Sequence, residues 1–158
     1  MRLRILAVGR LKKGPEAELV ARYAARLKGA RAAGVAGFDI VEVAESRAGD
    51  ALTRKREEWA TLAARLPDGT VLVVLDERGA TEDSRAFADR LRAAAQGGRD
   101  LTLVIGGPDG LDPAARERAD AAIAFGRLTL PHQIVRALVA EQLYRATTIL
   151  IGHPYHRD

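Results

Sequence analysis

Residues 101–111 read LTLVIGGPDGL, a nearly unbroken apolar run followed at once by two adjacent glycines. A second run, VLVVL at residues 71–75, is apolar at every position. Strands of a parallel sheet are covered by helices on both faces and are therefore apolar almost throughout, whereas half-exposed strands alternate apolar and polar residues. The two runs thus predict two central strands of a parallel sheet.

The segments around these runs alternate between short strand-like and longer helical patterns. They predict strands at 3–8, 37–43 and 122–125, and helices at 15–27, 50–66, 81–95, 112–120 and 132–149. This alternation predicts an α/β protein with one open parallel sheet and helices on both faces. Ligands of such sheets bind beyond the carboxyl ends of the strands, so functional residues are expected in the loops after Leu75, Ile105 and Phe125.

The composition limits the class of protein further. A chain of 158 residues, 47% of them hydrophobic, suffices for one core and predicts a single domain over residues 1–158. No cysteine is present, which excludes disulfides and thiolate zinc sites, and three histidines do not predict a metal centre. No apolar run has the length of a membrane span and no signal-peptide pattern occurs, so we expect a cytoplasmic protein without a membrane partner.

The formal net charge of +4 and the isoelectric point of about 9.8 suit a phosphate-bearing partner. A solvated, arginine-rich surface explains the same charge equally well, so composition alone does not identify a nucleic-acid-binding protein. Residues 9–14 have the glycine spacing of a phosphate loop, but Pro15 and Glu16 replace its lysine and its serine or threonine. No G-x-G-x-x-G follows a strand and no nucleophile elbow occurs, so nucleotide triphosphatases and dinucleotide enzymes are not supported.

Three segments are candidates for a binding site. Gly106 and Gly107 permit a sharp turn and a close approach to a ligand. Residues 126–132, GRLTLPH, can offer backbone N–H and C=O groups to a flat polar ring between apolar side chains. The tail, GHPYHRD at 152–158, presents an aromatic ring, two imidazoles and a guanidinium. Taken singly, these segments are also explained as a tight turn, a capped loop and a frayed end.

The last predicted helix is apolar around well over half of its circumference. One core-facing stripe does not need so many apolar positions. The pattern favours a helix that packs on the sheet on one side and on a two-fold mate on the other, with a purely internal helix as the alternative.

Several motifs together resemble one family. They are ILAVG at 5–9, the glycine loop at 105–111, LTLPH at 128–132, VRALVAEQLYRA at 135–146 and HPYHR at 153–157. In this order they resemble the ribosomal RNA large subunit methyltransferase H family of the SPOUT superfamily, while about residues 29–66 match only loosely. The resemblance implies a fold in which residues from about 70 to 158 form a trefoil knot that builds the cofactor cleft and the dimer interface. Periodicity cannot reveal a knot, because knots are rare exceptions to the rules of chain connection.

The resemblance further implies a homodimeric enzyme that methylates N3 of a pseudouridine in helix 69 of 23S rRNA, with the assembled 70S ribosome as substrate. S-adenosylmethionine is the implied methyl donor, and no metal is implied. At the matching positions, the residues expected to hold the cofactor, largely through backbone groups, are Leu75, Gly107, Gly126, Arg127, Leu128, Thr129, Leu130 and Pro131.

The acceptor nitrogen must lose a proton, and His156 is the first candidate for the base because an imidazole titrates near neutral pH. Glu141 is the second candidate. Tyr155 and Arg157 are expected in the same catalytic group. The residues expected to contact the RNA are Tyr155, Arg157 and the basic loop of Arg10, Lys12 and Lys13.

Two alternatives remain open at this point. One is a SPOUT methyltransferase that acts on another RNA, such as tRNA. The other is a non-catalytic, ribosome-binding module that kept the fold. The intact glycine loop and the LTLP segment argue against the second alternative, and a substrate profile distinguishes the first.

Overall fold

The centre of the computed structural model, which describes residues 1–157, is a five-stranded parallel sheet in the order β2-β1-β4-β3-β5. Its two apolar runs lie inside the sheet, as the sequence predicts. The strands are β1 (Arg2–Val8), β2 (Gly37–Val43), β3 (Val71–Thr81), β4 (Leu101–Ile105) and β5 (Ala121–Ala124).

Helices cover both faces of the sheet, which confirms the predicted α/β class. One face carries α1 (Pro15–Lys28), α3 (Ser84–Gln96) and α5 (His132–Leu150), and the other carries α2 (Ala51–Ala63) and α4 (Pro113–Arg118). A short 3-10 helix at Ala30–Ala33 lies in a connection for which no regular structure was predicted. None of the helices within residues 1–157 is long and apolar enough to cross a membrane.

The core has two layers, because successive side chains of the central strands point to opposite faces of the sheet. Side chains such as Leu103 pack under α1, α3 and α5, whereas Val104 packs under α2 and α4. Thr102, the one polar residue in β4, is fully buried, and its hydroxyl is 2.9 Å from the Thr70 hydroxyl. The paired hydroxyls satisfy each other, so this polar position does not leave an unpaired group in the sheet.

The packing of α5 accounts for many of its apolar positions within one chain. α5 contacts both α1 and α3 while it covers the sheet, and Val139, Ala140 and Leu143 are fully buried there. Ile134 remains 39% exposed near the start of the helix. The internal alternative therefore explains most of the apolar circumference, and the two-fold mate stays a prediction, as does the knot.

β3 extends six residues beyond its predicted end. Leu75 and Ala80 both pair with Ile123 of β5, so residues 76–79 bulge out of the ladder before pairing resumes. α3 consequently begins at Ser84 rather than Thr81, and Asp83 caps it by accepting a hydrogen bond of 2.7 Å from Ala86 N. The extension depends on β5, a partner more than 40 residues away, and local periodicity cannot report such a pairing.

Gly79 lies against the backbone of β5 inside this bulge. A Cβ at residue 79 would lie 2.6 Å from the backbone nitrogen and carbonyl carbon of Ile123. Backbone atoms in a sheet cannot retreat as the end of a flexible side chain can. Only glycine fits where the bulge crosses β5.

We expect Gly79→Ala to lower the free energy of unfolding by at least about 2 kcal/mol, because the added methyl overlaps backbone. Gly49→Ala is the matched control, since a Cβ at residue 49 meets no atom within 4 Å. Urea unfolding followed by circular dichroism measures both variants. Equal stabilities for the two variants would contradict the close crossing.

Candidate functional site

A cavity of about 380 Å³ lies beyond the carboxyl ends of β3, β4 and β5, within the size range of small-molecule sites. Three segments line most of it: residues 75–78 of β3, the glycine loop at 105–111, and residues 123–126 and 128–130 of the stretch that leads into α5. His132 and Val135 of α5 also line it. The cavity thus lies at the three loops where ligands of an open parallel sheet are expected.

The glycines of the glycine loop are required by packing. A Cβ at Gly106 would lie 2.8 Å from the carbonyl carbon of Gly110, and a Cβ at Gly107 would lie 2.9 Å from Cγ1 of Val8. Gly110 N donates a hydrogen bond of 3.0 Å to Gly107 O and closes the turn. The loop can therefore lie directly on the end of β1 while its other side faces the cavity.

Arg54 of α2 fastens the glycine loop from outside. Its Nε donates to Asp109 Oδ2 at 2.7 Å and its second terminal nitrogen to Asp109 Oδ1 at 3.1 Å, while the first donates to Ala48 O at 3.0 Å. The hydrogen-bonded guanidinium lowers the pKa of Asp109. Such a two-pronged arginine–carboxylate contact fixes geometry as well as charge.

Glu58 of α2 lies behind the same loop and is 4% exposed. Its Oε1 accepts a hydrogen bond of 3.0 Å from Ser46 N, whereas its Oε2 has no hydrogen-bond partner within residues 1–157. That second oxygen lies 3.2 Å from the position of a Cβ at Gly107. Burial raises the pKa of Glu58, and the charges of Asp109 and Glu45 add to the increase.

This pKa shift predicts a pH-dependent stability. A carboxyl with a raised pKa in the folded state binds more protons there than in the unfolded chain, so stability falls as pH rises from the ordinary value of 4.5 through the raised one. Glu58→Gln removes the ionisation. We expect its stability relative to the wild type to increase over that interval and then to level off.

Urea unfolding at several pH values, from below 4.5 to neutrality, tests this expectation. Glu117→Gln, at an exposed position of α4, is the control and should run parallel to the wild type. If the stability of Glu58→Gln also runs parallel to that of the wild type, ionisation of the Glu58 carboxyl does not destabilise the folded protein.

The connection between β5 and α5 forms the remaining wall of the cavity. Thr129 Oγ1 donates to Glu77 Oε2 at 3.1 Å, which ties this connection to the bulge of β3. Leu128 is 80% exposed at the mouth. Among the predicted cofactor residues, Arg127 and Pro131 do not line the cavity. Those that do line it are Leu75, Gly107, Gly126, Leu128, Thr129 and Leu130.

Arg136, one turn after His132 on α5, is 1% exposed and anchors the start of the helix. Its guanidinium donates to Val8 O, to Gly9 O at 2.8 Å and to Glu42 Oε1 at 2.8 Å. Glu42 Oε1 also accepts a hydrogen bond of 2.7 Å from Leu11 N, at the start of the basic loop. One carboxylate oxygen therefore joins the cavity end of α5 to the predicted RNA-contacting loop.

His132 lines the cavity with its pKa lowered by burial and, secondarily, by the charge of Arg136. Its neutral form is thus favoured. The sequence placed His132 in a candidate segment and Arg136 in a family motif but predicted no role for either side chain. The available signal was an arginine on an otherwise apolar helix. The sequence predicted functional residues in the loop after Leu75, and Asp76, Glu77 and Arg78 of that segment line the cavity.

The tail docks on α1 and α5. The Tyr155 hydroxyl donates to Glu141 Oε1 at 3.0 Å and lies 3.2 Å from the Tyr23 hydroxyl, and its ring meets the Tyr144 ring edge-on at 4.8 Å. Burial raises the pKa of Tyr155, and its hydrogen bonds with Tyr23 and Glu141 add to the increase. The phenol is therefore a neutral hydrogen-bond donor at physiological pH.

Glu141 is itself held by charge. Its Oε1 also accepts two hydrogen bonds from Arg145, at 2.6 and 3.0 Å, and its Oε2 accepts one of 2.6 Å from Gln142. Hydrogen bonds of this kind from a guanidinium to a carboxyl group also fix the geometry of the side chain. The structure thus brings the predicted residues Glu141 and Tyr155 together, in an arrangement suited to anchoring the tail.

The tail leaves the far end of α5, folds back along the helix to Glu141 and does not reach the cavity lining. The helix has 19 residues, or roughly 28 Å at the α-helical rise, and begins at His132 beside the cavity. His156 is half-buried and Arg157 is exposed. The predicted catalytic and RNA-contacting residues all lie outside the cavity lining; they are Glu141, Tyr155, His156 and Arg157, together with the exposed Arg10, Lys12 and Lys13 of the loop after β1.

Potential metal-ligating side chains do not cluster among the described residues. Within residues 1–157, no group of three or more histidines, aspartates and glutamates is placed to hold an ion. The acidic residues that line the cavity are already engaged in part, since Asp109 binds Arg54 and Glu77 binds Thr129.

Comparison with known proteins agrees with the fold. The family described as "Predicted SPOUT methyltransferase" matches residues 1–156. Proteins named "Ribosomal RNA large subunit methyltransferase H" from Rhizobium leguminosarum bv. trifolii and Agrobacterium fabrum are each 58% identical to this chain, over 99% of it and 99% of the relative.

Two solved structures share the fold at low sequence identity. A probable methyltransferase from Bordetella pertussis has a TM-score of 0.53 and 16% identity, over 92% of this chain and 93% of its own. A probable methylase family protein from Haemophilus influenzae has a TM-score of 0.52 and 13% identity, over 99% of this chain and 70% of its own.

A ligand cavity at the carboxyl ends of a parallel sheet, walled by glycine-containing loops, defines the class of α/β enzymes that bind a small molecule there. The match over residues 1–156 makes the class specific. The chain belongs to the SPOUT methyltransferase family, together with the relatives that share more than half of its residues.

Proposed function

We propose that this methyltransferase transfers a methyl group from S-adenosylmethionine to 23S rRNA in the cytoplasm. The acceptor we propose is N3 of a pseudouridine in helix 69 of the assembled 70S ribosome. The observation that carries the proposal is the cavity where the glycine loop faces Gly126 to Leu130. The name shared by the full-length relatives supports ribosomal RNA as the substrate class.

The lining of the cavity fits this cofactor. Apolar side chains such as Leu75, Ile105 and Leu130 suit the faces of a flat purine, and the backbone of the two loops offers polar groups to its edge. Carboxylates at Asp76 and Glu77 suit a positive centre, while Lys55 suits a carboxylate. When bound, the cofactor supplies an activated methyl group on a positively charged sulfur.

The protein itself has two tasks, which are alignment and proton removal. The acceptor nitrogen must be held in line with the methyl group, and rigid loops provide this positioning. As the methyl group bonds to N3, the proton of N3 must pass to a base. We assign that role to His156, with Glu141 holding Tyr155 and thereby the tail in place.

The separation of tail and cavity leads us to a homodimer. Within one chain the tail docks on the middle of α5, through Tyr155 on Glu141, and none of its described residues lines the cavity. A two-fold mate can bring its tail to that cavity, and the exposed Leu128 and Ile134 beside the cavity are suitable apolar contacts. The RNA then lies across both subunits, against Arg157, Tyr155 and the basic loop of Arg10, Lys12 and Lys13.

The first experiment is methyl transfer from labelled S-adenosylmethionine to ribosomes from cells that lack the enzyme. We expect label on 70S ribosomes at a helix 69 pseudouridine, mapped by nuclease digestion and mass spectrometry. Free 50S subunits and bulk tRNA run alongside. Label on tRNA alone would move the substrate to another RNA, and cofactor binding without any transfer would favour a non-catalytic module.

The assignment of the base predicts different effects for two variants. His156→Ala should lower the single-turnover rate by about 100-fold or more, the usual contribution of a positioned base. Glu141→Ala should act mainly by loosening the tail, and rescue by Glu141→Gln would show this, since an amide oxygen still accepts from Tyr155. Wild-type rates for both alanine variants would leave deprotonation to the substrate or the solvent.

The shared site predicts complementation between two inactive variants. One subunit carries Thr129→Trp, which blocks the cavity mouth, and the other carries His156→Ala with Arg157→Ala. In heterodimers isolated with two affinity tags, one of the two composite sites is intact, so about half of wild-type activity per dimer is expected. Inert heterodimers would place each tail in the site of its own subunit.

A further inference from the structure

A second depression adjoins the cofactor cavity along the edge strand β5. Its lining is residues 77–81 of β3 together with Ala124, Gly126 and Arg127. Glu77, Arg78 and Gly126 line both this groove and the cavity, so the two are continuous. We call this depression the edge groove. The bulge of β3 creates it, because residues 76–79 leave the ladder and pass over β5.

Arg78 and Arg127 give the edge groove its charge. Both are exposed, and within residues 1–157 neither side chain forms an ion pair or a hydrogen bond. Other arginines near the cavity are engaged, since Arg54 binds Asp109 and Arg116 lies 3.6 Å from Asp76. Glu77 is the one acidic residue of the groove lining, and Thr129 holds its carboxylate at 3.1 Å.

An aromatic side chain stands where the edge groove meets the cavity. Phe125 lies between Ala124 and Gly126 of the groove, lines the cavity and is 39% exposed. Within the described chain it is the one phenylalanine that is not buried, since Phe38 and Phe87 belong to the core. An exposed ring beside two free guanidinium groups is the combination that binds unpaired RNA, in which bases stack on rings and phosphates pair with arginine.

We propose that the edge groove binds the RNA strand next to the target nucleotide, with Arg78 and Arg127 on its phosphates and Phe125 against an unstacked base. This inference rests on the proposed function, because the strand must approach the cavity whose cofactor it meets. It adds an RNA surface on the cavity side, separate from the basic loop and the tail. Arginine suits the role because its planar fork bonds two phosphate oxygens at once.

The groove also explains the position of Arg127. This residue belongs to the segment expected to hold the cofactor, yet it does not line the cavity, whereas its neighbours Gly126 and Leu128 do. It lines the edge groove instead. The backbone of the segment can thus serve the cofactor while this one side chain serves the RNA.

The test compares two charge-matched double variants of the full-length protein. Arg78→Ala with Arg127→Ala removes the charge of the groove, and Arg31→Ala with Arg65→Ala removes the same charge from exposed positions that line neither groove nor cavity. The measurements are binding to helix 69 RNA and 70S ribosomes over a range of salt, KM for ribosomes, cofactor affinity by calorimetry, and mass by light scattering.

We expect the groove variant to raise KM for ribosomes about tenfold and to reduce the salt slope of binding by about 1 for each arginine. Its cofactor affinity and its mass in solution should match those of the wild type, and the control should shift KM far less. Phe125→Ala should weaken binding without changing the salt slope, whereas Phe125→Trp should retain it.

If the two double variants weaken ribosome binding equally, the net charge of the protein and not the groove explains the effect, and the inference is overturned. A loss of cofactor affinity would return Arg127 to the cofactor site, and a change in mass would make the groove a subunit contact. Either result also overturns it. If the wild type binds ribosomal RNA but the groove variant binds equally well, this inference alone fails. If the wild type binds none, the proposed function fails with it.

Discussion

The interrupted pairing of β3 with β5 is the constraint on which the functional end of this molecule depends. Two residues of β3, Leu75 and Ala80, share Ile123 as partner, so four residues must leave the sheet between them. Three of them, Asp76, Glu77 and Arg78, line the cavity. The fourth, Gly79, lies so close to the backbone of β5 that no side chain would fit. The same bulge forms one wall of the cavity and the floor of the edge groove.

Buried charge holds the opposite wall in register. Arg136 is sealed inside the protein, where an unpaired guanidinium would cost several kcal/mol, and it finds partners in two carbonyls of the β1 end and in Glu42. Arg54, which is partly exposed, holds the glycine loop in place through its two hydrogen bonds to Asp109. These contacts fix loops, which are otherwise the mobile parts of an α/β protein, and so hold a cavity ready for a ligand.

The distribution of charge suits an enzyme with a large anionic substrate. Arginines that support the fold are paired, whereas unpaired cations lie around the cavity and along the basic loop. A small chain has little surface for a long RNA, and two subunits together present the cavity, the edge groove and the tail on one assembly. The docking of the tail on Glu141, outside the cavity lining, gives that arrangement a physical reason.

The sequence alone determined the layers of the fold and most of the cavity wall. Apolar runs at 71–75 and 101–105 predict buried parallel strands because both of their faces must be covered, and glycine pairs at strand ends mark close loops. Motif order identified the family. The tertiary structure alone decided the bulge of β3, the pairing of Arg136 with Glu42, the position of Glu58 behind Gly107 and the docking of the tail on Glu141. Each of these depends on residues far apart in the chain, and local periodicity carries no information about which distant atoms will meet.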